Sequence, residues 1–140
     1  MKKLILLFTA LAGCIGQETI HVGVAQGSDP AGITTVEQAV AAWQCSPDRI
    51  VSVGFSDGAD VIVSFVAGDV SCGKHGDALG CTNLDNGTVV VNPEYFGVLV
   101  HEIGHVMLLP HSQDVHSVMF PTYLSVDLPT DADRKLAGCL

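Results

Sequence analysis

Apolar positions recur along this chain in two distinct periods, and each change of period marks an element. Residues 19–25, Thr-Ile-His-Val-Gly-Val-Ala, alternate closely enough to predict a strand. The next segment, Gly27-Ser28-Asp29-Pro30-Ala31-Gly32, is turn material. The period then becomes helical, with Val36, Ala39, Val40 and Trp43 at i, i+3, i+4 and i+7. Thr35 is the expected cap of that helix, Gln38 completes a capping box, and Pro47 closes it. Two Val- and Ile-rich runs, 50–55 and 61–66, are split by Ser56-Asp57-Gly58 and read as buried strands. Residues 78–82 and 88–91 predict two more strands. Asn92-Pro93-Glu94 is a strong helix start, and that helix is expected to run to Leu108, where Pro110 stops it. Thr130, with Asp133 three residues on, caps a last short helix.

This order predicts a mixed α/β (α+β) fold, a twisted five-stranded sheet packed under two long helices. At 140 residues there is room for one such domain and one sizeable core. Hydrophobic residues make up 48% of the chain, a proportion inflated by its first residues. Those residues run Met-Lys-Lys and then Leu4 to Leu11 almost wholly apolar, a basic segment followed by an apolar one too short to span a bilayer. The run ends Leu11-Ala12-Gly13-Cys14. Small residues before a cysteine resemble the lipobox of bacterial lipoproteins. That resemblance implies a signal peptide over 1–13, lipid on Cys14, a short tether over 14–18 and a domain over 19–140. The protein is then exported, and is either anchored to the cell envelope by that lipid or secreted. Ile15 is not the aspartate that often holds lipoproteins at the inner membrane, which points to the outer one.

Losing residues 1–13 removes two of the 6 basic residues and none of the 15 acidic ones, so 4 against 15 leaves a net charge of −11. Such a surface repels phosphate backbones and anionic headgroups, which excludes nucleic acid as a natural partner. With Cys14 lipidated, Cys45, Cys72, Cys81 and Cys139 remain, an even number in an oxidising compartment. Four cysteines allow three pairings, and sequence alone does not choose among them. Cys72 and Cys81 bracket a Gly-rich loop and form the natural local pair, which would leave Cys45 to Cys139.

The chemistry is concentrated in residues 101–111, His-Glu-Ile-Gly-His-Val-Met-Leu-Leu-Pro-His. His101 and His105 are four apart on a predicted helix, so they lie on one face about 6 Å apart along its axis. Two imidazoles at that spacing can share one zinc ion. Glu102 is rotated off that face, well placed to act as general base on a zinc-activated water. A third ligand is needed, and His111 lies six past His105, beyond a proline that lets the chain turn back.

These residues are similar to the pattern of the metzincin zinc peptidases, and within them the matrixins: His-Glu-x-x-His-x-x-Gly-x-x-His, then a methionine-containing turn. His101, His105 and His111 match the ligands of one catalytic zinc, and Glu102 matches the base. Ser117-Val118-Met119-Phe120-Pro121-Thr122-Tyr123 resembles the matrixin Met-turn, placing Met119 beneath the metal and Pro121 to Tyr123 in the wall of the S1′ pocket. The resemblance also implies that a peptide or protein substrate pairs with an edge strand near Ala78, Leu79 and Gly80, and that the domain acts as a monomer. His75-Gly76-Asp77 resembles part of the structural-zinc loop of vertebrate matrixins, but the other histidines of that site are missing. One ion is therefore expected. The segment between Cys14 and Thr19 leaves no room for a latency-conferring propeptide.

Leu108 departs from the family, standing where the pattern has glycine. Either the turn toward His111 is built differently, helped by Pro110, or His111 is held less tightly. Leu108 is thus the best support for a second reading, a catalytically weak zinc-binding lipoprotein that works as a binding module. A third reading, a structural envelope protein, requires coincidence at both 101–111 and 117–123. Retention of Glu102 favours the endopeptidase.

Overall fold

The structure is a computed structural model that describes residues 18–72 and 77–140. The expected signal peptide, the lipidation site at Cys14 and all of the tether but Glu18 lie outside the described residues, as do His75 and Gly76 of the second zinc-like motif. Among the described residues no helix is long and apolar enough to cross a membrane.

The strands are β1 (Ile20–Val24), β2 (Ile50–Phe55), β3 (Val61–Phe65), β4 (Val70–Ser71), β5 (Asp77–Ala78), β6 (Gly80–Asn83) and β7 (Thr88–Val91). The helices are α1 (Ala31–Ala42), α2 (Phe96–Val106) and α3 (Asp131–Leu136). Five strands form one sheet in the order β2-β1-β3-β7-β6, while β4 and β5 make a separate two-stranded ribbon. The β1–β2, β1–β3 and β3–β7 pairs are parallel and β6–β7 is antiparallel, so the sheet is mixed, as its pattern predicts. Helix α1 packs on β1 and β2, α2 packs on β6 and β7, and the two helices pack on each other.

The core lies between sheet and helices. Val22, Val24, Val63, Val89 and Val91 from the strands meet Val36, Ala39, Trp43, Leu99, Val100 and Ile103 from the helices. Trp43 is fully buried, and its indole nitrogen donates to the Val100 carbonyl at 3.1 Å, which joins the end of α1 to the middle of α2. A buried indole N–H needs such a partner, since leaving it unpaired costs roughly 1–3 kcal/mol.

Several local expectations shift. Helix α1 begins at Ala31, not at a Thr35 cap. Pro30 already sits at helical φ −52°, and the Asp29 carboxylate accepts from the Ala31 amide at 2.9 Å, so the turn residues start the helix themselves. The Thr35 hydroxyl donates instead to the Ala31 carbonyl inside the helix. Helix α2 begins at Phe96, not at Asn92. The Asn92 side chain accepts from the Glu94 amide at 3.0 Å and donates to the Gly68 carbonyl at 2.9 Å, closing a turn that anchors the helix approach. Of the two runs read as buried strands, β3 is central, but β2 is an edge strand with Val53 exposed. Residues 78–82 divide between β5 and β6, with Leu79 between them accepting from the Asn92 amide. Strand β4 was not expected at all. Helix α3 forms as predicted, with both halves of the Thr130–Asp133 capping box present.

Cys45 pairs with Cys139 and Cys72 with Cys81, the pairing that the local-loop reading favours. The first closes a separation of 94 residues and holds the chain after α1 to the C-terminus. Such a link removes much conformational freedom from the unfolded chain. The two disulfides mark an oxidising compartment.

Candidate zinc centre and cleft

Helix α2 supplies two of the histidines and its C-terminal turn aims the third. Their ligand nitrogens all lie within 4.8 Å of one another. His105 Nε2 and His111 Nε2 are 3.2 Å apart. In a tetrahedral site with Zn–N near 2.0–2.1 Å, ligand nitrogens stand about 3.3 Å apart, so this pair already has the spacing of two ligands. His101 Nδ1 lies 2.7 Å from the Val118 carbonyl, and His105 Nδ1 lies 2.8 Å from the Leu109 carbonyl. A carbonyl oxygen can only accept, so both Nδ1 atoms carry the proton and both Nε2 lone pairs face inward. Burial lowers the pKa of His101 to about 4 and also lowers that of His111, which keeps these imidazoles in the neutral form that a metal requires. Donor type, tautomer and spacing all fit one zinc ion held by His101, His105 and His111.

The helix ends through a left-handed turn that builds half of this arrangement. The Leu109 amide donates to the Gly104 carbonyl at 3.0 Å and the Leu108 amide to the His105 carbonyl at 2.9 Å, the two bonds of a Schellman motif. Leu108 occupies the left-handed position, at φ +68°. The turn is therefore not built differently to accommodate leucine; it keeps the conformation that suits glycine, and Leu108 bears the strain. The same turn presents the Leu109 carbonyl to His105 and sends the chain back toward His111.

The Met-turn lies beneath. Met119 is buried, its amide accepted by the Ser117 hydroxyl and its carbonyl accepting from the Ser112 amide, one residue past His111. Gly104, between the two helical ligands, must lack a side chain, because a Cβ there would run into Met119 and into Trp43. Asp133 fixes the turn from the other side. Its buried carboxylate accepts from the Ser117 hydroxyl at 2.5 Å and the Val118 amide at 3.3 Å, besides the Thr130 amide and hydroxyl, both at 2.9 Å. The residue expected only to cap α3 thus also holds the backbone whose carbonyl orients His101.

Glu102 is buried beside the triad. Burial raises the pKa of its carboxyl, offset in part by the Thr82 hydroxyl, which donates to Oε2 at 2.5 Å. It borders a cavity of about 350 Å³ that also takes in His101. Ala78, Leu79 and Gly80 line one side of this cleft, and Pro121 and Tyr123 the other, so the structure brings all five expected contact residues together. Sequence reasoning missed Val98, Leu124 and Val126, which add apolar side chains to the lining of the cleft. The helical period places Val98 one turn before Glu102, the one available signal. The Tyr123 hydroxyl donates to Asp127 at 2.9 Å, and its ring stands edge-on to Tyr95 with centroids 5.7 Å apart. These contacts hold the wall in place.

Comparison with known proteins agrees with this geometry. The solved structure of archaemetzincin from Methanopyrus kandleri superposes with a TM-score of 0.60 at 14% identity, covering 91% of this chain and 97% of that one. The fold is accordingly the metzincin fold. The Matrixin family model matches residues 86–135, from the last strand through the three histidines and the Met-turn into α3. Macrophage metalloelastase of Oryctolagus cuniculus is 54% identical over 35 residues, 25% of this chain and 8% of that protein. Matrix metalloproteinase-20 of Homo sapiens is 33% identical over 113 residues, 63% of this chain and 22% of that protein. The chain thus spans less than a quarter of the length of these two metalloproteinases. With fold, histidine triad and Met-turn segment in agreement, the stretch from β7 into α3 is similar to the matrixins, and the triad has the make-up of a zinc site.

Proposed function

We propose that this protein is a zinc-dependent endopeptidase that cleaves extended peptides or protein segments. The observation that carries this reading is the Glu102 carboxylate bordering the same cleft as His101, one of three histidines whose ligand nitrogens converge. Zinc held there supplies Lewis acidity, which brings the pKa of a water toward neutrality and polarises a carbonyl. Glu102 takes the proton of the attacking water and delivers it to the departing amine nitrogen, a role suited to a carboxylate whose basicity is raised by burial. Strand β6 ends the five-stranded sheet, so a substrate backbone can pair along it. The apolar cleft between Val98 and Tyr123 then takes one large apolar side chain, the S1′ residue of the resemblance.

Bound metal and cleavage of an unfolded protein test this together. Stoichiometric zinc, and chelator-sensitive cleavage lost in Glu102→Ala, are expected. Stoichiometric zinc with negligible cleavage by both wild type and variant would favour the binding-module reading instead. The finer localisation, a lipid on Cys14 anchoring a monomeric domain to the envelope, rests on the sequence. It predicts that the protein partitions into detergent and that Cys14→Ala does not.

A further inference from the structure

The general base of this site is gripped from the edge strand. Thr82, on β6, donates its hydroxyl to Glu102 Oε2 at 2.5 Å, across 20 residues of sequence. Among the described residues the other acceptor within reach of that hydroxyl is the Glu102 backbone carbonyl, at 3.3 Å, so both candidate partners belong to one residue. Two positions earlier on the strand, Gly80 closes over the same side chain. A Cβ there would stand 3.0 Å from Glu102 Oε1 and 3.1 Å from its Cγ. The carboxylate therefore sits in a slot between Gly80 and Thr82. Its two oxygens are not equivalent: Oε2 is occupied by Thr82, while no described residue hydrogen-bonds Oε1.

We infer that Thr82 is a positioning residue for the reaction, holding Glu102 Oε2 so that Oε1 alone faces the attacking water and the leaving amine. The inference rests on the peptidase reading. A carboxylate free to rotate about its last torsion spends part of its time aimed away from the water. A short hydrogen bond to one oxygen removes that freedom at little cost, since the strand already orders Thr82. The threonine keeps its own proton throughout. The proton taken from water goes to Oε1 and from there to the amine nitrogen, so the Thr82 bond persists through both transfers.

Thr82→Val is the direct test, because valine matches threonine in shape and suits a strand. Outer-shell partners of this kind are commonly worth about 10–100-fold in activity. Thr82→Val is expected to lower kcat by about that factor with KM within about twofold and bound zinc unchanged. Thr82→Ser, which restores the hydroxyl without the methyl, should recover most of kcat. In a Glu102→Gln background, Thr82→Val should have no further effect. Crystal structures of the zinc-free proteins give a readout independent of activity: the Glu102 carboxylate should hold one conformer in wild type and leave it in Thr82→Val. A Thr82→Val protein with wild-type kcat, a Ser variant as slow as the Val variant, or an unmoved carboxylate in Thr82→Val would each overturn the inference. Zinc-loaded wild type that cleaves nothing would instead bring down the peptidase reading itself, while the carboxylate conformers in the zinc-free crystals would still test the grip of Thr82, so the two failures are separable.

Discussion

Replacing Leu108 by glycine is expected to stabilise the protein, although it removes a large apolar side chain. At φ +68°, an L-residue crowds its Cβ against the neighbouring carbonyl, at a cost of roughly 1–2 kcal/mol. The side chain recovers little of this by packing, since it is 74% exposed. Glycine relieves the crowding but gives the unfolded chain more freedom, an opposing effect of about 0.4–1 kcal/mol. The difference leaves a net gain of about 0.5–1 kcal/mol. With an unfolding entropy near 2.1 cal/mol/K per residue over a domain of ~120 residues, that gain raises Tm by about 2–4 °C. Thermal unfolding of the metal-free protein with both disulfides intact measures this directly. Leu108→Ala is the control, because alanine keeps the Cβ and therefore most of the strain, so its Tm should stay near that of wild type. A lower Tm for Leu108→Gly would refute the strain argument. So would an equal rise in both variants, which would trace the gain to the lost exposed leucine rather than to backbone geometry.

Other consequences follow from the same contacts. Asp133→Ala leaves the donors of Ser117, Val118 and Thr130 without their shared buried acceptor, a loss of about 3 kcal/mol or more, and should lower Tm by about 10 °C and weaken zinc binding in a metal titration. Met119→Leu keeps volume and apolar character at a buried site, so it should cost less than about 1.5 kcal/mol and leave most zinc bound by elemental analysis. Metal-free stability should depend on pH through His101. Its folded pKa of about 4 lies below the roughly 6.5 of an unfolded histidine, so the unfolded state binds more protons between those values. Stability is then full above about pH 6.5 and falls by on the order of 2–3 kcal/mol as the pH drops toward 4. Denaturant titrations of wild type and His101→Gln across that range check the sign, and an unchanged slope in the variant would contradict it.

The amino-acid sequence by itself determined whatever depends on spacing along one element. The four-residue step from His101 to His105 puts both ligands on one helical face wherever the helix is placed. Thr130 and Asp133 specify a helix start within four residues, and the Val-rich runs specify strands. Leu108 stood out only against the glycine of the family pattern, and its left-handed conformation came from the structure. Where two local signals competed, the stronger one was not evident from sequence. Asn92 caps poorly while its side chain is engaged by Glu94 and Gly68, and Thr35 has no helix end to cap once Asp29 and Pro30 start the helix earlier. Tertiary structure alone decided which strand lay at the edge, that Thr82 meets Glu102, and that Asp133 holds the Met-turn over 15–16 residues. Each of these joins groups that no sequence period relates, and each forms only because burial in one core leaves a polar group no other partner than the one that packing brings to it.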